Sequence, residues 1–74
     1  HRSEKWVIVT GRGLVTVDDV TIPVKNGSVV DIPLNAVHRM ANLDPKKPLV
    51  FIEVACGDRL TEEDIERLAD DYIR

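Results

Sequence analysis

The sequence is poor in cysteine, which limits how the chain can be cross-linked. Cys56 is the sole cysteine of the 74 residues, so an internal disulfide is excluded. Disulfide frameworks are typical of secreted domains in oxidising compartments, and nothing here suggests one, so we expect a reducing cytoplasm. Cys56 follows Val54 and Ala55 at the end of an apolar run, and we interpret it as a small buried residue rather than a nucleophile.

Long hydrophobic runs and basic clusters are also lacking. No apolar stretch approaches the ~20 residues of a membrane span, and no signal peptide is visible, so we expect no membrane partner. The net charge is -3 without a dense group of Lys and Arg, which argues against nucleic acid. Lys46 and Lys47 lie between two prolines, and we interpret them as a solvated loop rather than a phosphate patch.

Aromatic residues make up only 4% of the chain, so we expect a core of Val, Ile and Leu. The β-branched members of that set favour strands. With 43% hydrophobic residues, residues 1–74 predict one small domain near the lower size limit for a self-sufficient core.

Short apolar runs separated by turn residues predict an antiparallel all-β fold, because the crossover helices of a parallel sheet are absent from the pattern. Pro23 places the third strand at a sheet edge or a bulge. From Thr61 the pattern changes to helical spacing, and we expect one C-terminal amphipathic helix. The expected fold is a barrel or sandwich of five to six strands. The predicted strands are residues 6–10, 14–17, 20–24, 30–32, 37–40 and 49–55.

The stretch from Gly27 to Asn42 carries the clearest chemical signal. Pro33 leads a turn between two short strands, and His38 follows it, directed inward. A neutral imidazole on a strand is a well-placed metal donor. We interpret Asn42 as a structural residue whose side chain bonds the loop backbone.

This stretch resembles the second motif of the cupin superfamily, G(X)5PXG(X)2H(X)3N, with Asn35 in place of the usual Gly. Asn tolerates a positive φ, so we expect the turn to survive the exchange. Glu4, followed by six residues and Gly11, matches the second half of the first cupin motif, HXH(X)3-4E(X)6G. The resemblance implies a small jelly-roll β-barrel, here truncated at its N-terminus, in which Glu4 and His38 are ligands of a divalent metal, zinc by the chemistry of the donors.

The words HRSEKWVIVTG and IEVACGDRLTEEDIERLADDYIR resemble those of type II phosphomannose isomerases. Such domains usually end bifunctional mannose-1-phosphate guanylyltransferase/mannose-6-phosphate isomerases. The resemblance implies conversion of mannose 6-phosphate to fructose 6-phosphate for polysaccharide synthesis. It also implies further ligands, a Gln-X-His pair, just before His1. Arg2 shares a strand face with Glu4, and we expect it to act catalytically by holding the substrate phosphate or the enediolate charge.

Simpler interpretations stay open for each of these residues. Arg2 can be a surface residue at a frayed end, Glu4 a solvated charge and His38 a core histidine. Lys5 stands where the family has His, and we expect it to face outward. We expect His1 to be a non-ligand or a tag remnant.

Other functions also remain open. A cupin domain with an incomplete metal set can serve as a binding or dimerisation module, and an unpaired sheet edge favours a homodimer. A different cupin, such as a sugar-nucleotide epimerase or a dioxygenase, is disfavoured by the Arg2-Ser3-Glu4 word and by the tail.

Overall fold

A computed structural model describes residues 3–56, 61–68 and 72–73, and side chains within residues 3–55. The described backbone forms strands throughout, with turns between them, which confirms the all-β prediction. The strands are β1 (Ser3–Thr10), β2 (Arg12–Val17), β3 (Val20–Lys25), β4 (Val29–Ile32), β5 (His38–Asn42), β6 (Leu49–Cys56), β7 (Thr61–Leu68) and β8 (Tyr72–Ile73).

The strands form two four-stranded sheets in the order β4-β1-β6-β7 and β3-β2-β5-β8. Every paired neighbour is antiparallel. Side chains of successive strand residues point to opposite faces, so each sheet can turn one apolar face toward the other. In β1, for example, Trp6 and Ile8 are buried while Lys5 is exposed.

Each of the six strands predicted from apolar runs is present, with ends that differ by up to three residues. The edge position expected from Pro23 is confirmed, since β3 is the first strand of its sheet and Pro23 pairs only with Leu14. A proline lacks the amide hydrogen of a ladder bond, which is tolerated where one side of the strand has no neighbour. The most apolar run, β6, lies between β1 and β7.

The core lies between the sheets and mixes aliphatic with aromatic side chains. Trp6 and Phe51 are its largest fully buried members, with ring centroids 5.2 Å apart. The expectation of a core built from Val, Ile and Leu is therefore too narrow, because two of three aromatic residues fill its centre. The buried hydrophobic residues are Trp6, Ile8, Val15, Val24, Val30, Ile32, Met40, Leu49 and Phe51.

The predicted C-terminal helix is wrong over Thr61–Leu68, which form strand β7 instead. This segment pairs with the whole of β6, from Leu49 opposite Leu68 to Cys56 opposite Thr61. A continuous ladder satisfies the backbone groups of both strands, and such non-local pairing outweighs a weak local helix preference. The predicted apolar helix face also included Ala69, which lies outside the described residues, and Tyr72, which belongs to strand β8 instead. In the described part of the chain there is no helix with the length and apolarity that crossing a bilayer requires.

Candidate metal centre

Glu4 and His38 approach each other between the two sheets. Glu4 lies on the inward face of β1 with Trp6 and Ile8, and His38 is the first residue of β5 in the opposite sheet. Their closest atoms, His38 Nε2 and Glu4 Oε1, are 3.8 Å apart. The side chain of His38 is 10% exposed and that of Glu4 is 22% exposed, so the pair is mostly buried but still accessible to solvent. Two residues 34 positions apart that were selected from motif spacing are therefore neighbours.

The tautomer of His38 follows from its backbone contact. Nδ1 lies 3.0 Å from the carbonyl oxygen of Ala36. A carbonyl can only accept, so Nδ1 carries the hydrogen, and in the neutral imidazole Nε2 then presents a lone pair. Nε2 is buried and forms no hydrogen bond with any described residue. The imidazole is thus oriented by one nitrogen and offers the other as a donor atom toward Glu4.

This arrangement fits two ligands of a divalent metal. A lone pair and a carboxylate oxygen that face each other without a hydrogen between them repel, unless a cation or a proton lies close. Zinc lies about 2.0–2.2 Å from nitrogen and oxygen ligands, so two tetrahedral ligands are about 3.4 Å apart, near the observed 3.8 Å. Among the described side chains no group of three His, Cys, Asp or Glu converges in this way. Glu4 and His38 are therefore two of the ligands that a complete zinc site would need.

Trp6 forms the wall behind the pair. Its indole Nε1 donates to Glu4 Oε1 at 3.4 Å, and its ring meets the His38 ring edge-on, with centroids 4.9 Å apart and an angle of 74° between the planes. Trp6 itself is fully buried. The indole therefore restricts both side chains and excludes water from one side of the site.

The turn before His38 adopts the conformation that the motif requires. Asn35 has φ of 66°, which confirms that Asn replaces Gly at a left-handed position, and Ala36 N donates to Pro33 O at 3.2 Å. The turn places the Ala36 carbonyl where it accepts from the His38 ring. The motif residue Asn35 thus acts on the site through the backbone.

Asp18, in the turn between β2 and β3, holds the same segment from the other side. Its side-chain Oδ1 accepts from Val37 N at 3.0 Å, and its backbone N donates to Val37 O at 2.7 Å. Both bonds bind the residue immediately before His38. In the sequence Asp18 only falls between the predicted strands at residues 14–17 and 20–24, because its contact with Val37 spans 19 residues and leaves no local signal.

The remaining motif residues are structural. Asn42 Nδ2 donates to Lys47 O at 2.8 Å, and Asn42 Oδ1 accepts from Asp44 N at 2.9 Å, so the prediction that Asn42 bonds the loop backbone is confirmed. Gly11 has φ of 104°, and a Cβ added there would lie 3.1 Å from Pro48 O, so a side chain would be strained in both respects.

A second interior carboxylate, Glu53, was not selected from the sequence. It lies opposite Trp6 in the β1–β6 ladder and is only 5% exposed. Glu4 pairs with Ala55, so Glu53 is the diagonal neighbour of Glu4, and such neighbours are typically about 7–8 Å apart. The signal was available, since a charged residue at an inward position of an alternating strand is unusual.

Predictions were also made for three other positions, Arg2, His1 and Lys5. Arg2 and His1 lie outside the described residues. Lys5 faces outward as expected, where Nζ lies 3.3 Å from Oδ1 of Asp31, its cross-strand partner on β4. Both side chains are more than half exposed, so this ion pair contributes little.

One protein family and several known proteins match the chain. The family described as "Mannose-6-phosphate isomerase C-terminal" matches residues 1–70. The chain is 47% identical over 74 residues to the alginate biosynthesis protein AlgA of Pseudomonas aeruginosa. It is 45% identical over 75 aligned residues to a mannose-1-phosphate guanylyltransferase of Escherichia coli. It is 40% identical over 74 residues to the xanthan biosynthesis protein XanB of Xanthomonas campestris.

Each of these three alignments covers 100% of this chain but only 15% or 16% of the relative. The chain thus spans about a sixth of the length of the curated relatives it matches. No solved structure matches the chain.

Proposed function

Since the chain belongs to the mannose-6-phosphate isomerase C-terminal family, we propose that it contributes the metal-binding part of an isomerase that interconverts mannose 6-phosphate and fructose 6-phosphate. The observation that carries this proposal is the Glu4–His38 pair, with its buried and unbonded Nε2. The names of the relatives, which refer to alginate and xanthan biosynthesis, support a place in polysaccharide synthesis.

In this proposal His38 Nε2 and a Glu4 carboxylate oxygen would hold a divalent metal, zinc by donor chemistry, with further ligands from outside the described residues. When bound there, the metal would supply polarisation of the carbonyl and hydroxyl oxygens of the sugar. Other residues of the chain orient the two ligands. Ala36 O fixes the imidazole of His38, and Trp6 restrains both ligand side chains. The buried position of the pair limits the access of water. Fixed ligands need no reorganisation during the reaction, which is where preorganised sites gain rate.

Isomerisation also needs a base that moves a proton between C1 and C2 of the sugar. Glu53 suits this role within the proposal, because it is a buried carboxylate on the strand next to Glu4 and does not converge with Glu4 and His38 as a third ligand. Arg2 remains a prediction as the cation that holds the phosphate or stabilises the enediolate charge.

The test is isomerase activity in the protein that carries this domain, with Glu4→Gln and His38→Ala as test variants. Lys5→Gln is the matched control, since Lys5 is the sequence neighbour of Glu4 but lies on the outer face. We expect both test variants to lose activity by several orders of magnitude and the control to retain it. Unchanged activity in Glu4→Gln and His38→Ala would overturn the assignment.

A binding or dimerisation module is the second candidate, and one observation favours it. The edge strand β3 exposes Val20 and Ile22, at 64% and 38%, on the face that carries the buried Val24. An apolar edge can pair with a second copy, which supports the homodimer that was expected from an unpaired sheet edge. A solution mass that stays monomeric at high concentration, together with isomerase activity, would remove this candidate.

A further inference from the structure

Three basic side chains surround one cavity at the end of the sandwich away from Glu4 and His38. Arg12 begins β2, Lys25 ends β3, and Lys47 lies in the loop before β6. They line a cavity of about 390 Å³ together with Thr10, Asn26 and Asp44, among others. From Glu4 to Thr10, β1 spans roughly 20 Å at about 3.3 Å per residue, so this cavity is distinct from the candidate metal centre.

The charges of the cavity are unbalanced. Arg12 and Lys25 are direct cross-strand partners, and like charges in that position destabilise a sheet. None of the three basic side chains forms an ion pair with a described residue. Asp44 is the one acidic residue in the wall, so the lining carries three positive charges and one negative charge in a chain of net charge -3. A bound anion would relieve the repulsion.

Asp44 has a structural reason to be there. Its Oδ1 accepts from Lys46 N at 2.9 Å, which shapes the loop that carries Lys47. This bond needs an oxygen acceptor but no negative charge. The carboxylate is therefore compatible with an anion site whose other charged members are basic.

The neutral groups of the wall also favour an anion. Asn26 Oδ1 accepts from Gly11 N at 2.7 Å, so the acceptor end of this amide is occupied and its nitrogen is the end left to donate. Beside these neutral groups, the charged guanidinium of Arg12 is planar and can bind two phosphate oxygens at once. With the hydroxyl of Thr10, the cavity presents donors from three strands and two connecting segments of the fold.

We propose that this cavity binds a small phosphate-class dianion, either inorganic phosphate or the phosphate group of a monoester. Lys47 is then a phosphate-binding residue, in contrast to the solvated loop expected from the sequence, and Lys46 stays outside the wall. The net charge of the lining matches a dianion, and the volume exceeds that of a single phosphate group, which leaves room for a substituent. This inference goes beyond the proposed isomerase function and does not depend on it.

The test is a titration of the 74-residue chain with inorganic phosphate and with methyl phosphate, a monoester that is also a dianion, followed by backbone amide chemical shifts at constant ionic strength. We expect saturable shifts at Gly11, Asn26 and Lys47 and none at His38. Tighter binding of methyl phosphate would indicate a substituted phosphate as the ligand, and equal or weaker binding would indicate inorganic phosphate. Shifts that are linear in concentration, or that chloride reproduces, would overturn the proposal.

Variants sharpen the test, and all of the altered side chains are exposed or half-buried. Lys47→Gln and Arg12→Gln should each weaken binding by about tenfold, the loss expected for one charge-assisted hydrogen bond. Lys46→Gln, next to Lys47 but outside the wall, should leave the affinity unchanged. Asp44→Asn keeps the acceptor for Lys46 N and removes the negative charge, so it should strengthen binding.

Equal effects of Lys46→Gln and Lys47→Gln, or weaker binding by Asp44→Asn, would contradict the site. Because a gain of affinity cannot result from misfolding, the Asp44 variant keeps the proposal falsifiable. Glu4→Gln should leave phosphate binding intact, which separates a failure here from a failure of the isomerase proposal.

Discussion

The turn between β2 and β3, which binds Val37 next to His38 through Asp18, gives the most informative mutational series. Asp18 has φ of 51°, a left-handed conformation that Asn and Gly also tolerate and that Ala does not. Its side chain also accepts from Val37 N, one residue before His38. The three substitutions Asp18→Asn, Asp18→Gly and Asp18→Ala therefore separate the hydrogen bond from the backbone conformation.

The magnitudes follow from these two contributions. Loss of the exposed hydrogen bond should lower the free energy of unfolding by about 1 kcal/mol. Holding Ala at a left-handed φ should cost about 1–2 kcal/mol more. We therefore expect Asn to be close to wild type, Gly to be lower by about 1–2 kcal/mol once its chain entropy is included, and Ala by about 2–3 kcal/mol. A domain of this size has only about 4–11 kcal/mol of total stability, so the differences are measurable.

Urea unfolding followed by the fluorescence of Trp6, the single tryptophan of the chain, measures the series directly. Because Trp6 contacts His38, the native signal also reports on the site. Equal stabilities for the Asn and Ala variants would refute the reasoning, since it would mean that neither the hydrogen bond nor the left-handed conformation of Asp18 contributes.

The remaining predictions concern the turn, the second sheet and the interior carboxylate. Asn35→Gly should leave the unfolding free energy within about 0.5 kcal/mol of wild type and Asn35→Ala should lower it by about 1–2 kcal/mol, as measured by urea unfolding, because Gly and Asn adopt a positive φ more readily than Ala does. Gly13→Ala should be more harmful, by about 3 kcal/mol or loss of folding in the same assay, because its Cβ would clash with the carbonyl oxygen of Ala41. Glu53→Gln should abolish isomerase activity and leave zinc affinity within about twofold, measured by calorimetry, since a proton-transfer base is not a ligand. Retained activity in Glu53→Gln would remove it as the base.

Much of the fold followed from local signals in the sequence. Alternating apolar residues in β1, a proline in β3 and turn residues such as Asn35 each act over a few positions, so their effects are visible in one segment. The same is true of the spacing that selected Glu4 and His38. The mannose-6-phosphate isomerase type, which the words HRSEKWVIVTG and IEVACGDRLTEEDIERLADDYIR indicated, is confirmed by the family match to residues 1–70.

Three features of the structure were not predicted from the sequence, and each depends on contacts between distant segments. Thr61–Leu68 has a helical spacing of apolar residues, yet it forms a strand because β6 supplies a ladder along its length. The role of Asp18 is visible only in its hydrogen bond with Val37, and the interior position of Glu53 only in its register opposite Trp6. The pairing of strands determines these neighbours, and a single sequence does not specify that pairing.

The most direct test of the account is zinc affinity, measured by calorimetry on the protein that carries this domain. Glu4→Gln and His38→Ala should each weaken zinc binding by more than about 100-fold, beyond the 10- to 100-fold typical of losing a residue that only supports a ligand. Lys5→Gln should bind as the wild type does. Wild-type affinity in both test variants would contradict the assignment of Glu4 and His38 as a metal-binding pair.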